Sequence, residues 1–126
     1  MLVKNLEEEF SQLIAYWSPQ IIESFNGQFF KIAKLKGEFL WHNHAEEDEL
    51  FWVYKGELRI KYKDTEVHLR AGDLHTVPRG TEHLPVADDE CWVVLIEPHS
   101  TQHTGAVVSS RTRSVEEQSC HLKFHA

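Results

Sequence analysis

The chain has 126 residues, 13 basic and 20 acidic side chains, and a formal net charge of −7. That length holds one core, and the ordinary apolar and charged fractions mark a globular domain. A negative chain without clustered basic side chains is not expected to bind nucleic acid, and no apolar stretch approaches the length of a membrane span.

The start, MLVKNLEEEF, is acidic and lacks the apolar run of a signal peptide. The cysteines, Cys91 and Cys120, show no metal-type Cys-x-x-Cys spacing. Reduced thiols and a cytoplasmic location are therefore expected. From Asn5 the spacing predicts one helix: Leu6, Phe10, Leu13, Ile14 and Trp17 fall on one helical stripe. Asn5 can cap it with Glu8 in a capping box, and Pro19 limits it.

Beyond the helix, short segments rich in aromatic and branched residues predict strands at 28–35, 38–44, 49–55, 57–63, 65–70, 74–78, 83–87 and 91–97. Turn signals separate them, among them Asn26-Gly27, Gly37, Lys55-Gly56, Ala71-Gly72-Asp73 and Ala87-Asp88-Asp89. Close turns between short strands argue for a β-sandwich or barrel. The expected organisation is one domain over 1–105 with its core at 28–98. The polar stretch 106–126 reads as a mobile or partly docked tail.

The stretch WHNHAEEDELFWVYKG (41–56) carries the chemistry. Alternation along a strand points His42 and His44 the same way. Ala45 to Asp48 suit a turn, and an antiparallel return would bring Glu49 beside the two histidines. His83, after the Pro-Arg-Gly turn, is the candidate fourth ligand. Three imidazoles and one carboxylate suit a divalent transition metal rather than calcium, with octahedral positions left for water or substrate. Glu46, Glu47 and Asp48 read as solvated, His68 as exposed, and His75 as a surface strand position. His99 and His103 fall near a rim, and His121 and His125 in the tail.

The same residues resemble the two motifs of the cupin family. The first reads Gly37, His42, His44, Glu49, Gly56, with the gap from Gly37 to His42 one residue shorter than usual. The second reads Gly72, Pro78, Gly80, His83, with Ala87 where the family usually has Asn. The resemblance covers roughly residues 28–98. It implies an all-β double-stranded β-helix, a jelly-roll barrel, preceded here by the short helix. It also implies one divalent ion (Fe, Mn, Zn, Ni, Co or Cu) held by His42, His44, Glu49 and His83, and a small-molecule ligand. A metal-dependent enzyme of dioxygenase or sugar-isomerase type follows, the alternative being a non-catalytic binding module. Such small cupins are often described as mannose-6-phosphate isomerase-like. Glu49 speaks against the cysteine dioxygenase branch, whose site holds three histidines. An isomerase of sugar phosphates needs cations at the pocket, for which Arg79, Lys31 and Lys34 are the candidates. No catalytic residue is assigned. Outward-facing Trp41, Trp52 and Tyr54 predict an apolar surface covered by a homodimer partner or by the N-terminal helix.

Overall fold

The computed structural model describes residues 2–105, 107, 109 and 111–119. Among them lie a helix α1 (Leu6–Ser11), seven strands β1 (Gln20–Phe25), β2 (Gln28–Glu38), β3 (Glu49–Lys55), β4 (Glu57–Lys61), β5 (Glu66–Arg70), β6 (Leu74–Val77) and β7 (Leu84–Pro98), and a second helix α2 (Val115–Ser119). All named pairings are antiparallel, in the order β1-β2-β7-β3-β6, with β4 bonded to β5 and to β7. The result is the expected jelly-roll architecture, and β7 is its spine. Its first residues pair with β4 and its later ones lie between β2 and β3.

That spine corrects one expectation. Ala87-Asp88-Asp89 is not a turn but the point where β7 leaves β4. Asp88 and Asp89 are exposed there, and Arg59 clamps Asp88 at 2.8 Å. Polar residues that read as a turn in sequence instead mark the solvent side of a long bent strand. The predicted strand at 38–44 is a second correction. β2 runs on through a bulge at Gly37, whose φ is +82°. Residues 39–48 are then irregular, apart from a bridge between His42 and His83. Strand β1 carried no clear period and was not predicted; its burial is continuous only at Ile21 and Ile22.

The helix is shorter than its apolar stripe. Asn5 caps it as expected, accepting the Glu8 N–H at 3.1 Å. After Ser11 the chain leaves the helix, so Ile14 is fully exposed and not part of the stripe's core. Trp17 takes the left-handed conformation (φ 56°), which no helix can continue. Its N–H and indole Nε1–H bond Lys34 O and Lys36 O at 2.9 and 2.8 Å, turning the ring onto Phe39, 4.8 Å between centroids.

Alternation on β3 holds: Phe51 and Val53 are buried inside, while Trp52 and Tyr54 pack outside. Phe10 of α1 stacks on Tyr54 and Trp92 at 5.1 and 5.0 Å. The chain's own helix therefore covers the face that suggested a partner. Trp41 lies apart, under the Lys63 ammonium at 4.0 Å. The core is the inner layer of Leu35, Phe51, Val53, Leu58, Ile60, Leu69 and Val93. Cys91 is also buried there, which pushes its thiol up to about 12. Cys120, His121 and His125 lie outside the described residues.

Candidate metal centre

Each putting-together of the site has a backbone cause. Main-chain bonds tie His42 to His83 in both directions, N–H to O, at 3.1 and 2.9 Å. The Gly80 N–H donates to His44 O at 2.7 Å. The loop after β6 is thus clamped onto residues 42–44, and three imidazoles meet, with centroid separations of 4.3 Å (His42–His83), 5.1 Å (His42–His44) and 5.9 Å (His44–His83). Glu49 joins them from the first position of β3. It arrives through the turn 45–48, not by strand pairing with 38–44, because β3 pairs with β6 and β7.

One ligand atom from each of His42, His44, Glu49 and His83 lies within 4.8 Å of every other, and all four residues are buried. Atoms about 2.1 Å from a shared ion stand within about 4.2 Å of one another, so a contraction of a few tenths of an ångström closes the set. Carbonyls fix two tautomers: His42 and His83 donate Nδ1–H to Leu40 O and Thr81 O, each at 2.9 Å. Their Nε2 lone pairs are left for the cluster. His44 Nδ1, His44 Nε2 and His83 Nε2 are buried without a hydrogen-bond partner. Orphaned buried nitrogens are costly unless something fills them. Glu49 Oε1 lies 3.5 Å from His44 Nε2 and 3.8 Å from His83 Nε2, too long for hydrogen bonds. The donor set fits a divalent transition ion.

Burial, then the neighbouring His83, pushes His42 down to about 4, so it is neutral at pH 7. Burial works against ionisation of Glu49. The neighbouring Glu97 carboxyl and the His44 and His83 imidazoles outweigh it and hold the carboxyl well below its usual range. Burial and then the Glu49 charge push its partner Glu97 well above that range.

A cavity of about 40 Å³ opens beside the cluster, room for a few waters. Trp17, Leu35, Phe39, Phe51, Val93 and Leu95 form apolar walls, and His42, Glu49, Glu97 and His103 supply the polar part. His103 comes from the segment after β7. Its Nδ1 accepts the Arg113 N–H at 2.9 Å, so its Nε2 bears the hydrogen. Burial pushes it down to about 4, keeping it neutral. The segment presses close: a Cβ on Gly105, φ +62°, would sit 1.8 Å from Asn43 O. Arg111 bonds Glu38 O and Phe39 O, both at 3.0 Å, and lies over the Phe39 ring at 4.9 Å.

The other histidines divide as the sequence suggests. His68 is exposed. His75 is half-buried and bonded to the Tyr62 hydroxyl at 2.6 Å, away from the cavity. His99 stacks on Phe29 and meets Ser24. Asp48 pairs with Arg79 outside the cluster, and that bond holds its carboxyl below the usual range. Sequence reasoning missed Glu97 as a site residue and left His103 at the rim. Glu97 had a signal: Cys91, Val93, Leu95 and Glu97 share one parity on a strand whose other members are core.

The description of the cupin domain (Cupin_2) matches residues 29–97. The chain belongs to the cupin family. A cupin-2 domain containing protein from Shewanella frigidimarina NCIMB 400 has a similar structure. It is 42% identical, with a TM-score of 0.76 over 77% of this chain and 95% of that one. Protein NMB1881 from Neisseria meningitidis is 30% identical, with a TM-score of 0.72 over 77% and 99%. YdbB of Bacillus subtilis (strain 168) is 43% identical over 63 residues, 49% of this chain and 56% of that protein. The match thus spans little more than half of YdbB. As a cupin, the chain carries the motif glycine Gly56 where a Cβ would meet Glu90 O at 2.7 Å. The turn between β3 and β4 passes that closely under β7.

Proposed function

We propose that this cupin binds one divalent transition metal (Fe, Mn, Zn, Ni, Co or Cu) through His42, His44, Glu49 and His83. On this reading it is a metal-dependent enzyme for a small molecule bound in the adjoining cavity. The observation that carries this reading is the convergence of four buried donors, with both ring nitrogens of His44 and the Nε2 of His83 left without partners. A bound ion would supply Lewis-acid or redox chemistry at positions the protein leaves open. The protein's own groups would do the rest. The apolar walls would exclude water, and neutral His103 would hold or pass a proton on a molecule in the cavity.

Of the two enzyme classes, an oxidoreductase fits better than an isomerase of sugar phosphates. A phosphate needs cations at the pocket, and the three candidates are engaged. Arg79 pairs with Asp48 on the surface, Lys31 pairs with buried Glu97, and Lys34 bonds Leu13 O and lies over Trp92. The test is elemental analysis of protein purified without added metal, followed by oxygen uptake with panels of small neutral substrates. About one metal per chain and metal-dependent uptake support the reading. Metal-dependent turnover of sugar phosphates without oxygen uptake would replace the oxidoreductase with the isomerase.

A further inference from the structure

Three neighbouring strands each end an inward apolar row on a charge. On β2, Leu35 and Ala33 lead to Lys31; on β3, Val53 and Phe51 lead to Glu49; on β7, Val93 and Leu95 lead to Glu97. The registers bring these ends together. Leu50 pairs with Ile96, so one step further Glu49 stands opposite Glu97. Phe29 pairs with Glu97 and Lys31 with Leu95, which makes Lys31 the diagonal neighbour of Glu97. Lys31 Nζ lies 2.5 Å from Glu97 Oε1, and the two side chains are 0% and 2% exposed. Lys31 also donates to Gln118 Oε1 at 2.5 Å, while Gln118 Nε2 donates to Arg113 O and Ser114 O.

Stability does not account for such a row. A buried ion pair seldom improves on apolar residues of the same volume, because desolvation consumes the Coulomb gain. Position does account for it. Glu97 stands opposite the ligand carboxylate in the strand register, with its Oε2 buried and unpartnered, while Lys31, itself held by Gln118, fixes Glu97 Oε1. Groups that orient a ligand typically change metal affinity by 10–100-fold when lost.

We propose that Lys31 and Glu97 are positioning residues for the metal centre. Their row, anchored at Gln118 and ending opposite Glu49, holds the Glu49 carboxylate in the orientation that faces His44 and His83. The inference rests on the metal reading above and assigns residues that the cupin motifs do not contain.

The test uses Co²⁺ alone as the probe, with affinity from chelator competition and geometry from the visible d–d spectrum. The unaltered chain is compared with Glu97→Gln and with the double variant Lys31→Met/Glu97→Leu, which removes both charges and roughly keeps the volume. The double variant is expected to melt cooperatively, to bind Co²⁺ ten- to a hundredfold more weakly, and to show a shifted spectrum. Glu97→Gln keeps the volume, a polar group facing Glu49 and an acceptor for Lys31, and is expected to recover most of the affinity and the native spectrum. If the double variant does not melt cooperatively, Lys31→Met carries the test with the same expected loss. Native affinity and spectrum in the variant that carries the test would overturn the proposal while leaving the metal site standing. Failure of the unaltered chain to bind Co²⁺ would overturn both.

Discussion

The barrel and the segment that follows it enclose one cavity with opposite kinds of chemistry. The barrel buries Leu35, Phe51, Val53, Leu58, Ile60 and Val93 in a continuous layer. Among the described residues of 99–119, no apolar side chain is buried, and Val107 and Val115 are exposed. That segment is fastened by polar bonds: Arg111 to two carbonyls, Thr104 to Thr112, Ser114 to Glu117, and Gln118 to Lys31. Apolar burial is cooperative and expensive to undo, whereas a segment held by a few polar bonds opens locally at lower cost. That contrast leads us to expect a rigid cup with a separately opening cover.

The largest expected effect lies in the barrel. Leu58→Ala should cost about 2–5 kcal/mol in urea unfolding, because Leu58 is 1% exposed and its truncation leaves a cavity in the packed inner layer. Chelation should do less. The metal-free chain should keep its β circular dichroism and a cooperative melt, at a Tm lowered by the mass action of the lost ion. Loss of all structure would make the metal structural and remove the distinction between cup and chemistry. Smaller still is Gly105→Ala. The added Cβ meets the Asn43 backbone, so the cover should lift and chelator should strip metal faster, with global stability in urea changed far less than by Leu58→Ala. A global loss as large as the Leu58 effect would show that the cover and barrel are one unit.

The smallest effect is in pH dependence. His103 is pushed to about 4 from 6.5 by burial. The unfolded segment takes up a proton between those values and the docked one does not. Its contribution is therefore present above about pH 6.5 and lost as pH falls toward 4. Amide exchange in 99–119, corrected for the intrinsic rate at each pH, should show protection falling more from pH 7 to pH 5 in the native chain than in His103→Gln. Equal falls would show that another group sets the acid sensitivity.

Much of the cup was legible in the sequence because motif spacing is local. His42, His44 and Glu49 lie within eight residues, and His83 follows its own turn. The route was less legible. Glu49 reaches the histidines through a loop, since β2 ends at Glu38, just past the Gly37 bulge, and residues 39–48 form no strand to pair with β3. The helix was overextended because its apolar spacing runs on to Trp17, while hydrogen bonds to Lys34 and Lys36, distant in sequence, decide where that ring goes. The cover was illegible for a related reason. Its side chains have no period, and their partners, Lys31, Glu38 and Phe39, lie far back along the chain.

The central claim, a metal held by four residues in a barrel that does not need it to fold, is tested most directly by His42→Ala/His44→Ala. Metal content and a thermal melt should be measured on the same preparation. The account predicts about one metal per native chain, none in the variant, and a cooperative melt in both. Full metal occupancy in the variant would contradict the ligand assignment, and a variant without a cooperative melt would contradict the independence of the fold.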